Sequence, residues 1–495
     1  VDNHILTDRY QIPGGLIALL NETECSLRGV FAQIDGRAEH NQIRLLRIFQ
    51  ETGVTDFHLN GSTGYGYGDV GRDALEQVFA SYFGCECALV RSQIVSGTHA
   101  LAIGLYGNLR PGDELISAAG SPYDTLQKII GLHGEPDSLL ETGVTYREIP
   151  LLHRAISEGN SEGEESGDAT AQCRGVETPV IDLHGLLEAI GEKTRMVLLQ
   201  RSKGYQWRGS ISMSELETVI AAVKGKKPDV ICLVDNCYCE MADTREPGEA
   251  GADLVIGSLI KNPGGTLAPC GGYIAGKPGL VEACGRRLLA PGLSTDLGAS
   301  QGFNRLAFQG FFQAPGIVAE SMKGAVLAGA FFHRLGYAVM PEGPMESQTH
   351  RHAVAEGPMY AAQAGEAHAT QAGEAHAAQA GEAHATQAGE AHATLPNRAD
   401  IVQAIRLDDE GKLIRFCQAI QQACPIGSSF VPEPAMLPGY DCPVIMAGGG
   451  FIQGASSELS ADGPLRPPYI AYLQGGASLA QIKLGLLLAA KALTI

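Results

Sequence analysis

The chain of 495 residues contains no run of about 18 uninterrupted apolar residues, so no membrane-spanning helix is expected. The nearest approach, 482–495, is interrupted by Lys483 and Lys491 and reads as a packed amphipathic helix. Positive charge is in deficit. Lys and Arg number 36 against 55 Asp and Glu, a formal charge of −19, which argues against nucleic acid or an anionic membrane as the main partner. No C-x-x-C pair occurs; the closest cysteines, Cys85/Cys87 and Cys237/Cys239, are C-x-C, which lacks the spacing of a zinc site, and no metal is expected. The twelve cysteines read mostly as small buried residues in a reducing compartment. Apolar residues, by contrast, make up 44% of the chain, too many for a disordered protein. The length exceeds the roughly 100–200 residues of one ordinary domain.

Two tracts stand apart from this background. Residues 157–173 hold five carboxylates and no Lys or Arg, and read as a solvated insertion. Residues 363–394 hold four copies of an eight-residue repeat, QAGEAHAT with small variations, that spaces His368, His376, His384 and His392 evenly. On a helix, a period of eight advances about 80° beyond two turns, so these histidines fan around the axis instead of sharing a face. An expanded repeat looped out of a domain and a flexible metal-binding tract both fit. The division expected is an N-terminal helical segment over 1–60, a large domain over 61–315 and a smaller C-terminal domain over 316–495.

Short apolar runs recur between helical stretches, at 88–90, 114–117, 196–200, 231–234, 254–256 and 273–275. They mostly do not alternate with polar residues, which is the pattern of a mostly parallel sheet buried on both faces, hence an α/β fold. Ligands in such sheets lie outside the carboxyl ends of the strands. After the first run, Ser96-Gly97-Thr98-His99 opens a helical stretch. Small residues there leave N–H groups free for a phosphate, although Ser and Thr are also ordinary N-caps. His99 itself reads as a satisfied helix-start histidine. After the second run comes Ser121-Pro122-Tyr123, an aromatic that fits loop packing as well as ligand stacking. After the third come Arg201 and Lys203, either of which can face the site; Lys203 fits a surface position equally well. Asp235 follows the fourth run. Ser258 and Lys261, a Ser-x-x-Lys pair, follow the fifth. In this order the set meets the needs of pyridoxal phosphate: a lysine for its aldehyde, an acid for its ring nitrogen, an aromatic to stack, and a helix start with a serine for its phosphate.

The strings carrying these residues resemble a family. VDNCYCEM (234–241), GSLIKN (257–262), SPYDTL (121–126) and the stretch 72–101 resemble the transsulfuration enzymes that use pyridoxal phosphate. DFHLNGSTGYGYGDVGRD (56–73), IKNPGGTLAPCGGYIAG (260–276) and ELSADGPLRPPYIAYLQGG (458–476) are similar to the subgroup of aluminium resistance or methionine γ-lyase-like proteins. The resemblance implies the fold type I architecture of pyridoxal phosphate enzymes, with a smaller α+β C-terminal domain. It implies Lys261 as the lysine that binds the aldehyde, Asp235 as the ring-nitrogen partner and Tyr123 as the stacking ring. Ser96, Gly97, Thr98 and Ser258 become phosphate ligands, and Tyr65 or Tyr67 the hydroxyl that a neighbouring subunit contributes. Two departures stand out: no arginine accompanies these tyrosines, and Ile260 replaces a threonine. Arg466 is the candidate for a substrate carboxylate, since its planar fork pairs bidentately; an ordinary loop position fits it equally well.

The resemblance further implies α,β- or α,γ-elimination from a sulfur-containing amino acid, of the methionine γ-lyase or cystathionine β-lyase type. Lys261 would act as base, and the products would be a keto acid, ammonia and a thiol. γ-Replacement, aminotransfer and racemisation use the same residues, and a non-catalytic metal-tolerance role through the His/Glu repeat is a further alternative. A homodimer or homotetramer with shared sites is expected, in the cytoplasm or an organelle matrix. Because the chain starts at Val1, a preceding targeting segment stays open.

Overall fold

A computed structural model describes residues 4–155, 177–293, 295–342 and 398–494. The acidic tract and the His/Glu repeat lie outside the described residues. Strands β1 (Cys87–Arg91), β2 (Glu114–Ser117) and β3 (Thr145–Glu148) precede a hairpin-like pair, β4 (Leu152–Ala155) and β5 (Glu177–Val180). They are followed by β6 (Thr194–Gln200), β7 (Ile231–Asp235), β8 (Leu254–Ser258) and β9 (Gly272–Gly276). Seven of these form one sheet in the order β1-β9-β8-β7-β6-β2-β3. The run from β8 to β3 is parallel, and β9 pairs antiparallel with both β8 and β1.

The apolar runs explain this sheet directly. On β6, Val197 and Leu199 enter one hydrophobic cluster while Met196 and Leu198 enter another. On β7, Cys232 and Val234 separate in the same way from Ile231 and Leu233. A strand that buries both faces has no room for polar alternation, and each such side chain contributes roughly 1.5–3 kcal/mol on burial.

Helices cover both faces. The N-terminal helices are α1 (Gly14–Ser26) and α2 (Arg28–Thr52), the latter closed by Gly53 at φ +68°. Next comes α3 (Val70–Phe83), capped by Asp69, whose carboxylate accepts the Arg72 N–H at 2.9 Å. Helix α4 (Gly97–Asn108) lies so close to the sheet that a Cβ on Gly104 would clash with the Ile256 side chain. Then follow α5 (Asp124–Ile130), α6 (Leu183–Ala189), α7 (Met213–Lys226) and α8 (Pro278–Leu288). The long α9 (Phe303–Arg334) carries Pro315 and runs unbroken through 315–316. Beyond it β10 (Ala338–Met340), β11 (Val402–Arg406), β12 (Val444–Gly448), β13 (Ser460–Pro464) and β14 (Ile470–Gln474) form a separate antiparallel sheet ordered β10-β11-β14-β13-β12. Helix α10 (Glu410–Gln422) packs on it, and α11 (Leu479–Leu493) packs against α10 and α9. No helix among the described residues is long and apolar enough to cross a membrane.

Candidate active site

The carboxyl ends of β2, β6, β7 and β8 all point to one side of the sheet, and the chain after each one turns toward the same space. Asp235 is the last residue of β7; it is 2% exposed, and its Oδ1 accepts the Cys237 N–H at 3.1 Å. Lys261 follows β8 by three residues, and its Nζ stands 4.0 Å from the centre of the Tyr238 ring, a cation–π contact. The next residue, Asn262, donates to the Glu240 carbonyl at 2.9 Å and pins the turn that carries the lysine. After β2, Tyr123 is fixed through its N–H, which donates to Gln200 Oε1 at 3.1 Å.

At the start of α4 the Ser96 hydroxyl accepts the His99 N–H at 3.0 Å. The N–H groups of Gly97 and Thr98, being the first of the helix, have no intrahelical acceptor. A Cβ on Gly97 would lie 3.2 Å from Ser258 Cβ and 3.3 Å from Cys237 Sγ, so glycine lets the helix start close against the ends of β7 and β8. Thr98 Oγ1 lies 3.4 Å from the Tyr123 hydroxyl and 3.2 Å from Thr125 Oγ1. Ser96, Gly97, Thr98, Tyr123, Asp235, Ser258 and Lys261 line a single cavity of about 360 Å³. The antiparallel sheet and its loops supply the other wall, with Val402, Tyr440, Asp462, Tyr472 and Gln474.

Charge in this cavity is closely balanced. Burial pushes the Asp235 carboxyl up, and the Lys261 ammonium, the main opposing influence, works against that shift. For Lys261, burial is the largest single influence and opposes its charge. The acidic groups around it, Cys237, Tyr238, Asp235 and Tyr123, together outweigh burial and hold the ammonium well above its usual range. Burial, with Asp235 nearby, raises the Tyr123 phenol far beyond neutrality, so it stays protonated.

Other candidates lie elsewhere. Tyr65 and Tyr67 are 75% and 69% exposed and do not line the cavity. Their loop is nevertheless firmly anchored. Arg72 donates to the Gly66 carbonyl at 2.9 Å, and Ser300 donates to Asp69 at 2.5 Å. Arg466 does not line the cavity; it stands half-exposed, its Nη2 3.6 Å from Oδ1 of the cavity residue Asp124. His99 accepts the Val95 N–H on Nδ1 at 3.2 Å, as a helix-start histidine does. Lys203 is fully buried and paired with Asp400 at 2.8 Å, so it is not a surface lysine. Burial, with a smaller push from the nearby Arg398 cation, nevertheless lowers it to about 8 against the pull of Asp400. Arg201 is buried on Asn236 Oδ1 at 2.6 Å. The residue between them, Ser202, is the one that reaches the cavity.

The sequence signals passed over Tyr205, Tyr238, Tyr440, Asp462 and Tyr472. Tyr238 sits inside the VDNCYCEM string and Tyr205 two residues after Lys203, so both were within reach of the strand-end rule. The others come from the second sheet and its loops, where no strand-end rule applies.

The family described as Methionine gamma-lyase matches residues 16–165, 169–354 and 383–494. The chain belongs to the methionine γ-lyase family. Members of this family are pyridoxal phosphate-dependent enzymes of amino-acid metabolism, and the donor set of the cavity suits that cofactor: a buried carboxylate, an amine, and a helix start crowded against a serine. A Bacillus subtilis protein named YnbB, of uncharacterised function, is 40% identical over 462 residues, covering 93% of this chain and 92% of its own. A carbon-sulfur lyase involved in aluminium resistance from Clostridium novyi superposes with a TM-score of 0.78 at 36% identity, covering 98% of this chain and 97% of that one. A Clostridium acetobutylicum structure gives a TM-score of 0.80 at 34% identity, covering 100% and 99%.

Proposed function

We propose that the chain is a pyridoxal phosphate-dependent carbon–sulfur lyase that eliminates a β or γ sulfur group from an amino acid. The observation that carries this reading is the convergence of Lys261, Asp235 and the α4 start on one enclosed space. Asp235 would hold the proton of the ring nitrogen, Tyr123 would stack on the ring, and Ser96, Gly97, Thr98 and Ser258 would take the phosphate. Pyridoxal phosphate, when bound, supplies the electron sink that accommodates negative charge at the substrate α-carbon.

The protein's own part follows from the charges. Lys261 is the group placed to take the α-proton, and it must be neutral to do so. Asp235 is one of the influences that keep the Lys261 amine protonated, and its pairing with a ring nitrogen would weaken that influence. Departure of the sulfur with its bonding electrons calls for a proton, and Lys261, which would carry the α-proton as an ammonium, would be the group to return it. Arg466, which contacts the cavity residue Asp124, would be the group offered to the substrate carboxylate. Its competitor is Asp124, so the carboxylate would displace a long 3.6 Å contact. The anchored, exposed Tyr65 and Tyr67 suit a second copy of the chain, whose site they would complete.

The test is cofactor-loaded protein incubated with a panel of sulfur amino acids, with thiol, keto acid and ammonia measured in parallel. Stoichiometric release of all three supports elimination. Exchange of the amino group alone, with no thiol, contradicts it.

A further inference from the structure

Tyr238 lines the cavity, and the cofactor assignments leave it without a role. It follows Asp235 by three residues, and its backbone takes φ +71°, a left-handed conformation that costs a bulky residue free energy. Glycine would relieve that strain but would bring no ring to the site. The turn is held on both sides. The Cys239 N–H donates to the Asn236 carbonyl at 2.9 Å, and the Tyr238 carbonyl accepts the Ile401 N–H at 3.2 Å. The Tyr238 side chain packs against Met340, Val402, Ala404, Ile470 and Tyr472 of the antiparallel sheet. So fixed, its ring centre lies 4.0 Å from Lys261 Nζ.

The groups around the Lys261 amine differ in what they offer it. Burial raises the Cys237 thiol and the Tyr123 phenol far above neutrality and the Tyr238 phenol to about 12, so all three keep their protons and carry no charge. The Tyr440 phenol is raised by burial as well. Asp235, also raised by burial, would face the ring nitrogen of the cofactor. Glu240 is raised by burial to about 8, and its Oε1 accepts the Tyr273 hydroxyl at 3.1 Å. Asp462, raised by burial to about 7, accepts from Tyr205 and from Gln474 Nε2. The Tyr238 face therefore offers an ammonium something these groups do not: attraction by its quadrupole, with no competition for the proton. A carboxylate in that place would hold the ammonium more firmly and make its proton harder to pass on.

Resting on the cofactor reading above, we propose that Tyr238 is a positioning residue: its ring face receives the Lys261 amine whenever the cofactor does not hold it, and carries it as an ammonium between taking the α-proton and returning it.

The test reads the protonation of Lys261 in the cofactor-free full chain, by competitive labelling with acetic anhydride and peptide mass spectrometry, with exposed lysines of the same digest as reference. Position 238 is varied at nearly constant shape, first as Tyr238→Phe and then with mono-, di- and trifluorinated phenylalanine, each of which drains more charge from the ring face. Tyr238→Phe is expected to label as the unsubstituted protein does. Labelling of Lys261 should then rise with each fluorine, about tenfold over the series, equivalent to about 1.4 kcal/mol. A flat series overturns the proposal, because a ring that served only as packing would not respond to fluorination. Pyridoxal phosphate is also expected to protect Lys261 of the unsubstituted chain from the label. A flat series with protection intact overturns the proposal alone, and absence of protection overturns the cofactor reading together with it.

Discussion

Substituting Asp235→Asn removes one charge from the centre of the site and almost nothing else. Asparagine keeps the Oδ1 that accepts the Cys237 N–H at 3.1 Å, so the turn after β7 retains its geometry. What is lost is a charged acceptor for the cofactor's ring nitrogen. A hydrogen bond to a charged group is worth about 1.5–3 kcal/mol, so cofactor affinity should fall roughly 10- to 150-fold. Asp235 is also one of the groups that raise Lys261, so the free amine should deprotonate more readily in the variant. The cofactor-free protein should not be weakened, because burial already disfavours the Asp235 charge. The assay is titration of cofactor-free protein with pyridoxal phosphate, followed by absorbance, with thermal unfolding of both cofactor-free proteins alongside. Unchanged affinity and unchanged turnover in Asp235→Asn would refute the placement of the ring nitrogen here.

Three further outcomes follow from the same geometry. Lys203→Met leaves Asp400 buried beside Arg398 alone, and loss of one partner of a buried pair should cost about 3–5 kcal/mol in urea unfolding; adding Asp400→Leu should recover much of it. Burial holds Glu240 up at about 8 and Glu246 at about 7, both above their unfolded values. Their contribution is therefore complete below about pH 4.5 and is lost as pH rises through 7 to 8. Unfolding midpoints should fall across that window, and Glu240→Gln, which keeps an acceptor for the Tyr273 hydroxyl, should flatten the fall. Replacing exposed Tyr65 and Tyr67 together with Ser should leave the fold intact, lower the mass seen by light scattering and weaken cofactor binding; an unchanged assembly with unchanged affinity would remove them from the subunit contact.

Legibility in the sequence followed the physics of burial. Strands β6, β7 and β8 bury both faces, so their uninterrupted apolar runs announced them, and the residues at their ends were found by the same logic. Strand β9, fully buried, was equally visible as a run, but its antiparallel insertion between β1 and β8 depends on partners far away in the chain. Strand β13 reads Ser-Ala-Asp-Gly-Pro and carries no strand signal of its own; its pairing with β12 and β14 makes it one. For that reason Asp462 stayed hidden, as did its meeting with Tyr205 across more than half the chain. Lys203 was ambiguous because an isolated lysine in sequence does not show its counter-ion, and Asp400 lies beyond the repeat.

Attachment of the cofactor to Lys261 is open to a chemical test: borohydride reduction of the cofactor-loaded protein followed by peptide mass spectrometry. A phosphopyridoxyl group is expected on the peptide containing Lys261, with loss of absorbance near about 420 nm in Lys261→Ala. The label on another lysine, such as Lys203, or a variant that kept both band and activity, would contradict it.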